Sequence, residues 1–547
     1  MKKFFIVFSI LALSLILASC SSEPTCPEDE PTDLEAMYHL SGNYYQVFVR
    51  SFADGSGDGV GDFIGIKENL DYFEALGIDG LWLMPIHPTT SKHGYDVLDY
   101  YDVNPEYGSM ADFEALLDAA NERGITIIID FILNHTSEQH PWFQAFLDGE
   151  HPYDDYYRRI DGDDPRLDSH GHLWHALGDG EYYAGWFGGY MPDLNWSNPE
   201  VQDEMVAIAK FWMDKGVGGF RLDAALHLQS VGEVPDYYNA FDENMFELAY
   251  WEARVKEAYP EAYIVGEIWE SFGVYNHFYQ ALDSPLHFEF GHHVVNSIRR
   301  GHNADYVNDL IYWHYQAQEA AEDYRDYAVE APFLRNHDQN RIASSSSPGT
   351  PNLGDNHEQL RLAAEMLLTA PGNPFIYYGE ELGMKGEAWG NPPIWDESIR
   401  LPFLWDNDYQ ATWPIDDWDF EDPYNDDVDP LPVQQEDPDS LFNVYRRLLN
   451  LRQDSWALKY GTIHAYEDND RYLQGFYRIL DVDAEHQDIV LVLHNLSDDI
   501  IPLFDFDLPE SILYYSEYDF DNVMAPYSTL IFQIDPNESN LVDDYEE

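Results

Sequence analysis

Eight short apolar runs of β type lie between Tyr44 and Tyr378, and helix-like stretches separate them. They fall near residues 44–49, 80–84, 126–131, 219–223, 263–268, 287–290, 332–335 and 375–378. Strands that alternate with helices imply a parallel sheet, because every parallel pair needs a long crossover. Eight such units imply a sheet closed on itself, a (β/α)8 TIM barrel. Amphipathic helices are expected over 110–122 and 199–215, the second with Asn198 as N-cap before Pro199.

Four of these runs carry polar residues at or just beyond their ends: 130–135 (DFILNH), 219–223 (GFRLD), 265–269 (VGEIW) and 333–338 (FLRNHD). Asp223, Glu267 and Asp338 thereby come to the ends of three different strands, which is how a barrel assembles an active site. Paired carboxylates are the usual equipment for cleaving a glycosidic bond.

The connection after the third strand, 136–190, is too long for a plain βα loop and is rich in Asp, Gly, His and Tyr. It reads as an inserted domain B. The barrel, domain A, is then 37–135 plus 191–456. A helix over 441–451 closes the barrel. Alternating runs near 473–477, 489–494 and 529–534 predict a C-terminal antiparallel β-sandwich, domain C, over 457–535. An acidic excursion, 405–440, is expected as a solvated loop, and 536–547 as an acidic tail.

The chain carries 102 acidic against 28 basic residues, a formal charge of −74. Nucleic-acid binding is excluded, because phosphates would be repelled. Disorder is excluded by 45% hydrophobic and 16% aromatic content. The acids run through the whole chain, so the reading is a surface adapted to high salt, where self-repulsion is screened.

Lys2 and Lys3 precede an apolar run from Phe4 to Leu17, too short for a membrane span and laid out as a signal peptide over 1–20. Its Leu-Ala-Ser-Cys ending resembles a bacterial lipobox, with Cys20 the lipidated residue. Residues 21–36 then form a flexible tether. An exported lipoprotein held at a membrane surface by its lipid is expected, as a monomer. Once Cys20 is acylated, Cys26 has no partner, so no disulfide is expected.

These motifs, with a fifth at 191–196 (MPDLNW), occur in order over residues 38–535. The chain resembles glycoside hydrolase family 13, the α-amylase family. Residues 94–101 (GYDVLDYY) and 140–143 (HPWF) look like its oligo-1,6-glucosidase side, while the Met-Pro-Asp-Leu-Asn form lies between that group and the neopullulanases. The resemblance implies the same three-domain layout.

It also implies roles. Asp223 would be the nucleophile of a retaining reaction, Glu267 the general acid/base, and Asp338 a clamp on sugar hydroxyls. Retention needs the first two about 5–5.5 Å apart. Arg221, two residues before Asp223 and on the same face, would keep it ionised. Apolar Ile268 and Trp269 and the charge of Asp223 would raise Glu267. His135 and His337 would bind the sugar and Tyr95 would stack on it. Asp96 and Arg400 would pair near the sugar's non-reducing end. Ala224, after the nucleophile, goes in this family with α-1,4 rather than α-1,6 cleavage. Leu226 and His227 replace the usual lysine contact of the aglycone side. The expected substrate is an α-1,4-glucan or malto-oligosaccharide. An α-glucosidase or transglycosylase is the enzymic alternative, and a glucan-binding surface protein the non-enzymic one.

The run from Asp54 to Asp62 (DGSGDGVGD) offers oxygen ligands at EF-hand-like spacing. Asp54, Ser56, Asp58, Asp62 and the Val60 carbonyl would hold Ca²⁺, selected by hard donors.

Overall fold

The computed structural model describes residues 38–161, 174–228, 237–346, 351–388, 396–406, 424–483, 486–504, 506, 508–517 and 520–536. The signal peptide, Cys20, the tether, residues 162–173 and 407–423 and most of the tail lie outside them. No described helix is long and apolar enough to cross a membrane.

Eight parallel strands form the barrel: β1 (Tyr44–Val47), β2 (Gly80–Leu83), β3 (Thr126–Ile132), β4 (Gly219–Asp223), β5 (Tyr263–Gly266), β6 (Ser284–His287), β7 (Ala331–Pro332) and β8 (Phe375–Tyr377). Neighbours in the sheet follow chain order from β1 to β7, and β8 pairs with β1, Tyr44 opposite Phe375. A parallel bridge between Phe333 and Phe375 joins the remaining edge. That bridge carries the pairing one residue past Pro332, which has no N–H to donate to a ladder.

Each strand alternates between two layers, as a period of two requires. On β2, Leu81 and Leu83 pack outward with the helices, while Trp82 joins Tyr44, Ile128, Tyr263, Leu286, Phe333 and Phe375 in a smaller cluster contributed by the strands. On β4, Phe220 and Leu222 take the helix side. Gly219, Arg221 and Asp223 therefore share the other, inward face. At Gly219 a Cβ would sit 2.0 Å from the Tyr263 carbonyl oxygen, so the close approach of β4 to β5 admits only glycine.

The sixth strand corrects the expectation at 287–290. The strand is Ser284–His287, and the next residues begin helix Phe288–Arg300. His287 caps that helix, its Nδ1 accepting from the Phe290 amide at 3.2 Å. Buried Phe290, Val294, Val295 and Ile298 recur at helical spacing, which a four-residue apolar window conceals. Helix Pro199–Asp214 follows Asn198, whose side chain accepts from the Glu200 amide, as a helix N-cap does.

Between β3 and β4 stands a three-stranded antiparallel sheet, Arg159–Asp161, Glu181–Ala184 and Trp174–Gly178 in that order. After helix Leu441–Asp454 comes a five-stranded antiparallel sheet running from Thr462–Ala465 to Ser528–Ile534, beside a two-stranded ribbon.

Candidate active site

Asp130 sits fully buried in the middle of β3, inside a run otherwise made of Ile, Thr and Phe. A lone carboxylate in such a place needs a cation. Arg221 supplies it from β4, with Nη1 2.6 Å from Asp130 Oδ1. The other Asp130 oxygen accepts from Trp82 Nε1 at 3.0 Å and from the Tyr95 hydroxyl at 3.3 Å. The guanidinium also lies 5.0 Å from the Trp82 ring.

The same guanidinium reaches two further carboxylates. Nη1 is 2.9 Å from Asp223 Oδ1, and Nη2 is 3.0 Å from Glu267 Oε2. Glu267 directly follows β5, with its amide bonded to the Leu222 carbonyl at 3.0 Å. Its Oε2 also accepts from the Ala224 amide at 3.1 Å. Ala224 makes that bond with φ at +47°, a left-handed conformation uncommon for a residue with a Cβ. Among the described residues, Asp223 Oδ2 and Glu267 Oε1 take no such contact.

Burial pushes the Asp223 carboxyl well above the usual range, with Arg221 pulling against it and Glu267 adding to it. Arg221 therefore opposes a larger desolvation effect, which its sequence position alone does not reveal. Ile268 is fully buried as expected, but Trp269 faces out, 51% exposed and stacked on Phe288 at 4.7 Å.

Asp338 follows β7 and has its own partners, a histidine and a second arginine. Its Oδ2 is 3.0 Å from His337 Nε2 and its Oδ1 3.1 Å from Arg400 Nη2. Burial alone would raise this carboxyl; His337, Arg400 and Arg221 outweigh it and hold Asp338 below the usual carboxylate range. Gln46 of β1 meets His337 Nδ1 at 2.7 Å, and Tyr95 Oη meets Nε2 at 2.6 Å. With the Gln46 amide donating, the ring proton lies on Nε2, toward Tyr95 and Asp338. The Tyr95 and His337 rings lie 14° from parallel, joined through that hydroxyl–Nε2 contact.

Asp96 does not pair with Arg400. It accepts from Thr89 Oγ1 at 2.5 Å, the Thr90 amide at 3.1 Å, and the Thr90 and Ser91 hydroxyls. Arg400 instead binds Asp338, Asp396 and, through Nε, the His337 carbonyl at 3.2 Å. The hydroxyl-rich run of residues 89–91, five to seven residues before Asp96, captures it first.

His135 is buried, and burial pushes it down to about 3. Its Nδ1 meets Asn134 Nδ2 at 3.3 Å, its ring lies 5.2 Å from Phe187, and its Nε2 has no hydrogen-bond partner. The fifth motif ties this strand end to the inserted sheet: Asp193 accepts from Asn134 Nδ2 at 3.0 Å and from the Trp186 amide at 3.1 Å. Burial pushes Asp193 up to about 7. Trp186 stacks on His227 at 4.7 Å, with Phe187 at 5.6 Å.

Asp130, Trp82 and Gln46 are positioning residues to which the motifs assign no role, and Asn134 positions Asp193. Asp130 carries a signal, an acid at an inward position of an apolar strand. The left-handed turn at Ala224 carries none.

In the candidate calcium loop the carboxylates serve the loop's own backbone. Asp62 accepts from the Gly55, Ser56 and Gly65 amides, Asp54 from the Gly57 and Gly59 amides and the Ser56 hydroxyl, and Asp58 from the Val60 amide. Asp62 is also the N-cap of helix Phe63–Glu68. The donor chemistry of Asp54, Ser56, Asp58, Asp62 and the Val60 carbonyl suits a hard cation, although among the described residues no group of three or more His, Cys, Asp or Glu is arranged to hold a metal. No step below runs through calcium.

A family profile described as "Alpha amylase, catalytic domain" matches residues 46–461. The chain belongs to the α-amylase family. It is an enzyme acting on O-glycosyl bonds. It is 38% identical over 511 residues to alpha-amylase 3 of Dictyoglomus thermophilum, covering 91% of this chain and 94% of that one. It is 32% identical to a 4-alpha-glucanotransferase of Thermotoga maritima, covering 83% and 95%. A solved α-amylase from H. orenii superposes with TM-score 0.76 at 34% identity, covering 91% and 100%.

Arg221→Met strands Asp130 as a buried, uncompensated charge. Denaturant unfolding is expected to show a loss of about 3–5 kcal/mol, with Asp130→Asn restoring part of it in the double variant. A loss below about 1 kcal/mol would show that Arg221 does not carry the site.

Proposed function

We propose that this enzyme cleaves α-1,4-glucosidic bonds in starch, maltodextrins or related oligosaccharides with retention of configuration. The observation that carries this reading is the shared guanidinium. Arg221 takes one oxygen of Asp223 and one of Glu267, leaving each acid a second oxygen for the substrate.

In the first step Asp223 Oδ2 attacks the anomeric carbon as Glu267 donates its proton to the glycosidic oxygen. The C–O bond to the leaving sugar breaks, and a glycosyl–Asp223 ester forms. In the second step Glu267 takes a proton from water, the resulting oxygen attacks the same carbon, and Asp223 leaves as a carboxylate. Asp338, held ionised by Arg400 and His337, accepts hydrogen bonds from ring hydroxyls, and His135 offers its unpartnered Nε2 to another. Tyr95 forms part of the floor. Ala224, small and turned left-handed, leaves room on the aglycone side for an α-1,4-linked unit.

Transfer to a second sugar is the alternative. It is supported by the exposed ring of Trp269 two residues after Glu267, a platform for an acceptor, and by the likeness to a glucanotransferase. Glu267→Gln should lower turnover by about 10²–10⁴-fold while glucan binding persists. Products of maltoheptaose should be shorter than the substrate. Longer products would favour transfer, and near-normal turnover in the variant would remove Glu267 from its role.

The acidic surface is proposed as an adaptation to high salt, and Ca²⁺ at 54–62 as a stabilising ion, on the chemistry of the oxygen donors. Thermal unfolding tests both. The midpoint is expected to rise from near-zero to molar NaCl and to fall by several degrees in EDTA relative to Ca²⁺. A midpoint indifferent to salt discards the first proposal, and one indifferent to EDTA the second.

A further inference from the structure

Helix Tyr306–Ala321 turns Asn308, Tyr312, Tyr315 and Glu319 to solvent, one face of the helix. Polar side chains are the rule on such a face, yet Tyr312 is 56% and Tyr315 41% exposed. Exposed large rings close together are the informative exception to burial.

Both rings are held from the side. Tyr312 lies 5.6 Å from Phe272, in the segment after β5. Tyr315 lies 6.1 Å from the His464 ring on the first strand of the C-terminal sheet, its hydroxyl 3.5 Å from Nδ1. The groups around them are planar and polar rather than aliphatic: Asn308, His464, Glu319 and Gln316, whose amide donates to Glu319 at 2.6 Å.

The stripe is packed, through buried Phe272 and Phe288, against the segment that follows Glu267. The Phe272 amide donates to Glu289 at 2.9 Å, and the adjoining Phe288 stacks against Trp269, which stands two residues beyond Glu267. Contacts therefore run from the strand end that carries Glu267 to Tyr312.

We propose that Tyr312 and Tyr315 form a second, non-catalytic platform for the α-glucan chain, outside the catalytic site. The negative face of an aromatic ring attracts the C–H face of a pyranose, and the flanking amide and carboxylate groups match sugar hydroxyls. A neutral polymer is also the ligand class that a chain of charge −74 does not repel. Holding a long chain here raises its effective concentration at the catalytic pocket, an advantage a short substrate cannot use. This rests on the glucan-cleaving reading above.

The test compares wild type with Tyr312→Ala/Tyr315→Ala on soluble starch and on maltotriose. The ratio of kcat/KM for starch to that for maltotriose should fall about fivefold to tenfold, and retardation of the variant in a starch-containing native gel should weaken. An unchanged ratio with unchanged retardation overturns the platform. So does a loss of self-association in size-exclusion chromatography with the ratio unchanged, which would assign the stripe to a second copy of the chain. Wild type inactive on both glucans would instead defeat the underlying functional reading. Both substituted side chains face solvent, and a matching thermal midpoint checks that folding is retained.

Discussion

One guanidinium, buried at the centre of the barrel, binds three carboxylates from three consecutive strands of the sheet. Arg221 compensates Asp130 below it and orients Asp223 and Glu267 above it. Its cost is desolvation, and that cost is offset only while all three partners hold it. The ring of Trp82 covers one side, and the Tyr95 hydroxyl bonds Asp130. The two acids are in this way positioned by the barrel core itself, rather than by mobile loops.

Two environments split acids of the same chemical type. Asp223 shares its cation with two other carboxylates and is pushed up by burial. Asp338 is the more open of the two, faces Arg400 and His337, and is held down. Tyr95 joins the two environments, because its hydroxyl contacts both Asp130 and His337. The different environments set the clamp, Asp338, apart from Asp223 and Glu267, which share one cation.

The barrel was legible because period-two alternation and strand–helix succession are local. Gly219–Asp223 was read to the residue, since a fully buried five-residue run bounded by glycine leaves little choice. The sixth strand lies earlier than its apolar run suggests, because a short apolar run does not distinguish the end of a strand from the first turn of a helix. The three acids were legible as strand-end motifs. Their partners were less so, since partnership is a matter of distance across the fold. The family likeness pairs Asp96 with Arg400, whereas three neighbouring hydroxyl side chains claim it. The turn at Ala224 depends on β5 bringing Glu267 opposite, a long-range cause with no local trace.

The central claim is that Asp223 and Glu267, fixed by one arginine, act as nucleophile and proton donor in two displacements at one carbon. Proton NMR of a maltoheptaose digest in its first minutes tests it most directly. The account predicts that the new reducing ends appear as the α-anomer and drift toward the mutarotation equilibrium afterwards. A β-anomer appearing first would mean a single displacement by water, which requires acids set about 6.5–9.5 Å apart, and would contradict the account.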